Sequence, residues 1–361
     1  MKKRQFNTDC EGPITKNDNA MELCSHFIPD GERFFEVVSK YDDYLAFVVK
    51  KPNYKPGDTL KLIVPFLKAF NGTDSSIEQF SKENILFVPG AKETLTFISS
   101  IIESFIISTS YKPYIKALCD LIPFPISHCY ATSLAIDEYP IKKEEIKLLK
   151  KRAKDIVALP SFDLPSDISD PEEFSTELKE AIRFLDHLFW EEIPLMDIGV
   201  VYEKVNPVGG VEKLAAIYDS LKITGNRMED LVYVGDSITD LEGLKKVKEA
   251  KGLSISFNGN RYAIIEAEIA VISAHTIVLE LITKTFLNSG KKGVYQLIDD
   301  WGTFSGKGYP LDEDIIERMK KIFKNDLPFV ELITKENQQE IIEKSESFRK
   351  ELRGERIGAL G

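Results

Sequence analysis

Two acidic motifs are spaced so that they could share one piece of chemistry. Asp9-Cys10-Glu11-Gly12 follows a short predicted strand and sets two carboxylates one residue apart at its end. Such a pair suits phosphoryl transfer: one carboxylate attacks phosphorus while its neighbour protonates the leaving oxygen and later activates water. The second motif is Gly235-Asp236-Ser237-Ile238-Thr239-Asp240, directly after the apolar run Leu231-Val232-Tyr233-Val234. A buried strand that delivers carboxylates at its carboxyl end is a site signature, and Asp9, Asp236 and Asp240 together offer the oxygen ligands that Mg²⁺ demands. Ser108, at the end of Ser104-Phe105-Ile106-Ile107, is suited to hydrogen-bond a phosphate oxygen, as is the Thr109 backbone N–H. Lys213, twenty-three residues before Asp236, would neutralise phosphate and nucleophile charge.

These side chains can meet only if their elements do. Leu253-Ser254-Ile255-Ser256-Phe257 and Ala270-Val271-Ile272 read as further strands, separated by a helical turn from Tyr262 to Ala267. A third strand candidate beside the serine run is Ser127 to Ala131, after a helical Tyr114-Ile115-Lys116-Ala117-Leu118. Val211 to Leu221 reads as a helix after the breaker Gly209-Gly210, with Leu214, Ile217, Tyr218 and Leu221 on one face. Strands alternating with helices imply a parallel sheet covered on both faces, in which ligands collect at the carboxyl ends. The fold class is therefore α/β, with a Rossmann-like core formed by residues 1–15, 86–137 and 200–288. Residues 16–85 and 138–199 read as helical inserts, the second containing helices over Lys142 to Val157 and, opened by Asp170-Pro171, over Pro171 to Phe189. Residues 289–361 read as a helical extension, with a Gly-rich connector from Gly290 to Gly308, a helix over Asp312 to Phe323 and a more polar one over Lys335 to Arg353. The first strand is unusually polar, carrying Gln5 and Asn7.

Composition narrows the function. The 361 residues carry 47 basic and 58 acidic side chains, a net −11 that repels nucleic-acid backbones and anionic lipid. No apolar run is long enough for a bilayer span. Met1-Lys2-Lys3-Arg4 is followed by polar residues rather than a secretory segment, so a cytoplasmic location is expected. Cys10, Cys24, Cys119 and Cys129 have no Cys-x-x-Cys spacing and fit reduced thiols, and the four histidines lack zinc-ligand spacing. The expected partner is a small phosphorylated substrate, with no nucleic acid and no membrane; oligomeric state is open.

The order Asp-x-Glu, Ser, Lys, Gly-Asp-x-x-x-Asp resembles the haloacid dehalogenase (HAD) superfamily of phosphohydrolases. Val88-Pro89-Gly90-Ala91, Ile107-Ser108-Thr109-Ser110-Tyr111 and Tyr130-Ala131-Thr132 look most like its phosphoserine-phosphatase-type branch. The resemblance implies that Asp9 is the nucleophile and Glu11 the general acid and base. It also implies that Asp9, the Glu11 backbone carbonyl and Asp236 hold Mg²⁺ with Asp240 in support, and that Ser108, Thr109 and Lys213 grip the phosphate. The first insert would be a cap that reads the leaving group; within it Arg33, Lys50, Lys51 and Lys55 are candidate anion contacts and Phe34, Phe35, Tyr41, Tyr44 and Tyr54 candidate aromatic walls, most of which read instead as core or solvated surface. Four features depart from the pattern: Glu11 stands for the usual Asp, Pro13 for a Thr, Thr109-Ser110 for a glycine pair, and the first strand is polar. The alternative expectation is a non-catalytic HAD-like accessory subunit, for example of an archaeal energy-converting hydrogenase.

Overall fold

The apolar runs fold into one sheet. The structure is a computed structural model that describes residues 4–160, 174–324 and 326–358. Seven strands, β1 (Gln5–Thr8), β2 (Glu103–Tyr111), β3 (Cys129–Thr132), β4 (Leu231–Gly235), β5 (Leu253–Phe257), β6 (Ile269–Ile272) and β7 (Phe329–Leu332), lie in the order β3-β2-β1-β4-β5-β6-β7. All pairs are parallel except β6 with β7. The fold is thus the Rossmann-like α/β sheet expected. Register explains how the motifs meet: Thr8 pairs with Val234 on one side and Ile106 on the other, so Asp9, Asp236 and Ser108 all emerge at one end of the three central strands.

The polar residues of β1 have a structural task. Gln5 and Asn7 are fully buried, and both side-chain amides donate to Ser220 Oγ, at 2.8 and 2.9 Å. Thr224 Oγ1 donates to Gln5 Oε1 at 2.6 Å. Ser220 and Thr224 lie on the helix Val211–Thr224, so this ladder locks the Lys213-bearing helix against β1. Leu214 and Tyr218 are not part of its buried face, which instead presents Lys213, Ala216, Ile217, Ser220 and Leu221; the buried polar contacts override the apolar spacing. Replacing Ser220 by alanine leaves two buried amide donors unsatisfied, and a loss of about 1–3 kcal/mol is expected in a denaturant melt.

Several elements differ from expectation. β2 does not stop before Ser108 but runs to Tyr111, with an irregular register against β3 between Ile107 and Tyr111. No connector starts at Gly290: the helix Ile277–Asp299 continues past it, kinked where Gly290 adopts φ 69°. The extension is not purely helical, since β7 adds an antiparallel edge strand before the C-terminal helix Gln338–Arg353. The two inserts do not form separate modules either. Phe34, Ile63 and Phe66 of the first share one apolar core with Leu149, Leu185 and Phe189 of the second, because neither set of amphipathic helices can bury its face alone. The helix Thr176–His187 is N-capped by Ser175, whereas Asp170-Pro171 lies outside the described residues. All four cysteines are free thiols, although Cys119 and Cys129 bring their sulfurs to 3.6 Å. No helix among the described residues is long and apolar enough to cross a membrane.

Candidate active site

The centre of the site is a buried ammonium between two carboxylates. Lys213 is fully buried, and its Nζ donates to Asp9 Oδ2 at 2.5 Å and to Asp240 Oδ1 at 2.7 Å. Burial alone would lower the Lys213 ammonium, but Asp240 and Asp9 more than offset it, so Lys213 stays charged. Asp240 is saturated: Tyr233 OH also donates to Oδ1, at 2.7 Å, and the backbone N–H groups of Asp236 and Ser237 donate to Oδ2, at 3.1 and 3.2 Å. It therefore fixes Lys213 and the Asp236 loop. Asp9 accepts the Cys10 N–H on Oδ1 at 2.6 Å. Burial pushes the Asp9 carboxyl up to about 8 against the pull of Lys213, with Asp240 and Asp236 adding to the rise.

Asp236 packs against the turn after the nucleophile. Gly12 has φ 93°, and a Cβ there would fall 2.2 Å from the Asp236 carboxylate carbon, so only glycine admits this approach. Ser108, also buried, donates to Ser110 Oγ at 3.0 Å, and Ser110 Oγ donates to Glu11 Oε1 at 2.7 Å. The Asn19 N–H, in the first turn of the helix Asn19–Phe27, donates to the same Glu11 oxygen at 2.9 Å. Burial pushes the Glu11 carboxyl up to about 8, and Asp18 adds to the rise. With Oε1 committed as an acceptor, Oε2 is left to carry the proton. The Thr109 hydroxyl turns away and donates to Val208 O at 3.0 Å, whereas Thr15 packs under Tyr114 rather than in the site.

Asp9, Asp236 and Asp240 form the one possible metal-binding group found among the described residues, each offering an oxygen within 4.8 Å of the others. These hard oxygen donors fit Mg²⁺. Since Asp240 is saturated, Asp9 and Asp236 are the carboxylates left to hold an ion. The Glu11 carboxylate lies outside the group, so any ligand from Glu11 is its backbone carbonyl.

A cavity of about 110 Å³ opens in front of these groups, room for several waters or a small ligand. None of Arg33, Lys50, Lys51 and Lys55 lines it, in keeping with the core or surface reading of these residues. Phe35, Asp42, Asp43 and Thr59 line it from the first insert. Arg33 instead binds Glu36 and the carbonyls of Leu159 and Pro160, Lys51 lies over Trp190, and Lys55 binds Asn206. Phe34, Tyr41 and Tyr44 belong to the shared helical core, and the Tyr54 hydroxyl donates to Asp42 at 2.5 Å. The cations come from the other end of the chain: Arg349 and Arg353 of the helix Gln338–Arg353 both bind Asp236 Oδ2. Sequence reasoning missed these two, together with Ser110, Asp18 and Tyr233. The Arg349/Arg353 spacing of one helical turn on an otherwise polar segment was the only available signal.

Comparison with known proteins gives a structural match and no sequence family. No family model matches the chain, and no curated protein does. Gene product AF1437 from Archaeoglobus fulgidus superposes with a TM-score of 0.81 at 26% identity, covering 100% of this chain and 99% of that one. A substrate-bound phosphoserine phosphatase complex aligns at 16% identity and a TM-score of 0.46, covering 78% of this chain and 98% of that one. HAD family hydrolase t0658 from Salmonella enterica aligns at 11% identity and a TM-score of 0.43, covering 75% of this chain and 66% of that one. The chain shares its fold with gene product AF1437.

Proposed function

We propose that the chain is a Mg²⁺-dependent phosphomonoester hydrolase that acts on a small phosphorylated metabolite through an aspartyl phosphate. The observation that carries this reading is the Asp9–Lys213–Asp240 triad, of which Asp9 faces a small cavity together with Glu11, Ser108 and Asp236, while Lys213 and Asp240 are buried behind it. Lys213 keeps Asp9 oriented and offsets charge as phosphorus is attacked. The Asp9 carboxylate forms the new O–P bond, the bond to the leaving oxygen breaks, and Glu11 supplies that oxygen with a proton. Water then attacks the phosphorus of the acyl phosphate, Glu11 takes the water proton, and Asp9 is regenerated with release of inorganic phosphate. Ser108 would hydrogen-bond a phosphoryl oxygen, as would the Thr109 N–H. Mg²⁺ at Asp9 and Asp236 would add Lewis-acid stabilisation of the phosphoryl oxygens.

Phosphate release from an alkyl phosphate such as β-glycerophosphate, followed against pH with Mg²⁺ or with EDTA, tests the reading. Glu11 is the acid only while protonated, and its carboxyl sits at about 8. Asp9 attacks only as the carboxylate and its carboxyl is also held at about 8, so turnover should rise as Asp9 ionises, fall as Glu11 loses its proton, and peak near that value. Glu11→Gln should lower the rate by roughly 10²–10⁴-fold and remove the alkaline limb. A rate indifferent to EDTA, or an unchanged limb in Glu11→Gln, would contradict the assignment. The pairing of Asp236 with two guanidinium groups favours one second reading, a non-catalytic accessory subunit, for which no phosphomonoester would turn over.

A further inference from the structure

The C-terminal helix brings charge to the cavity that the proposed chemistry has not used. Arg349, 3% exposed, donates through Nη1 to Asp236 Oδ2, to the Asp236 carbonyl at 3.2 Å and to the Asn258 carbonyl at 3.4 Å. Arg353, one turn on, reaches Asp236 Oδ2 at 3.2 Å and is anchored by the carbonyls of Lys16 and Asn17, just beyond the nucleophile turn. Ser345 Oγ pins the helix to the Gly259 carbonyl at 2.7 Å. The arginines are therefore built into the wall rather than resting on it. Two guanidinium groups share one oxygen of the Asp236 carboxylate. All the hydrogen bonds Arg349 makes run through Nη1; its Nε is sealed in without a partner, and its Nη2 donates to no group among the described residues, while Arg349 lines the cavity beside Asp9 and Ser108. Asp18 and Glu11 are the nearby carboxylates facing the pair, and both already accept hydrogen bonds, from Met21 N–H and from Ser110 and Asn19 respectively. An unmet donor on a fixed, desolvated cation is a receptor for an oxyanion.

We propose that Arg349, held in place by Arg353, is a phosphate ligand supplied by the C-terminal helix, its free Nη2 taking a phosphoryl oxygen in the cavity. The inference rests on the phosphatase reading for its choice of anion. The helix thereby provides the cation that the cap lacks, and Arg353 acts as a positioning residue.

The test is calorimetric titration of the full-length protein with inorganic phosphate, once with Mg²⁺ and once with EDTA, which needs no turnover. Arg349→Gln should weaken phosphate at least tenfold in a condition where the wild type binds. Arg349→Lys, which keeps the charge opposite Asp236 but loses the planar fork, should fall between the two. Arg261→Gln, which removes only the exposed pair with Glu346 on the same helix, should bind like wild type. Should Arg349→Gln fail to fold, Arg349→Lys carries the same comparison. The inference is overturned if wild type binds no phosphate in either condition, or if the Arg349 variants bind within twofold of it in both. Arg349-dependent binding in a protein that hydrolyses no phosphomonoester would sink the phosphatase reading and leave this one standing. Turnover with phosphate affinity unchanged in the variants would do the reverse.

Discussion

An Asp9→Asn protein is expected to lose phosphomonoester turnover by at least about 10³-fold while remaining folded with a lowered thermal midpoint, since the amide NH₂ must face either Lys213 Nζ or the Cys10 N–H. Asp9 is the carboxylate at the end of the central strand, and it contacts Lys213, Cys10 N–H and the cavity. The amide is nearly isosteric and can still accept from Lys213 through its oxygen, so little packing is lost. What it cannot do is open an acyl-phosphate pathway, because an amide oxygen is a far weaker nucleophile than a carboxylate. Acid-quench trapping with a ³²P-labelled substrate should give a protein-bound phosphate in the wild type and none in Asp9→Asn. Mg²⁺-dependent turnover surviving in Asp9→Asn would remove Asp9 from the chemistry and the aspartyl phosphate with it.

Lys213→Met should be the most damaging single change, because it combines two losses. Methionine fills similar volume, but the substitution removes the only cation among the described residues within hydrogen-bonding distance of Asp9 and Asp240 and leaves two carboxylates facing each other in a buried site. Breaking a buried charge pair by removing one partner costs about 3–5 kcal/mol. A fall in the denaturant midpoint of corresponding size is expected. In the folded fraction, phosphate turnover should drop by about 10²–10³-fold or more, since preorganised charge stabilisation is lost at the reacting group. Asp240→Asn is an informative companion: it should retain the Tyr233 contact and perturb stability less than Lys213→Met. Wild-type stability in Lys213→Met would mean that the triad contributes nothing to the fold, contrary to its burial.

The central part of the site was legible because its residues are tied to elements with strong local patterns. Leu231-Val232-Tyr233-Val234 could hardly be anything but a buried strand, and the carboxylates after it had to emerge at its end. Asp9 and Ser108 followed by the same reasoning, since parallel neighbours present their carboxyl ends together. Lys213 was legible by spacing, yet its full burial was not. The apolar stripe of its helix suggested Leu214 and Tyr218 as the inward face, and only the partners Gln5, Asn7 and Ser220 explain why a polar face turns in instead.

The chain's local order determined the sheet, the positions of the acidic motifs and the class of chemistry they suit, because period-two apolar runs and abrupt strand ends are short-range signals. Tertiary structure alone decided that the two inserts close over one common core, that the first insert lines the cavity with Asp42 and Asp43, and that Arg349 and Arg353 reach the cavity from the C-terminal helix. Those outcomes depend on contacts between residues more than a hundred positions apart, such as Arg349 with Asp236 and Phe34 with the Leu185 region. Such contacts leave no periodic trace in a single sequence, since a surface arginine and a buried one are encoded by the same residue and differ only in what the fold sets against them.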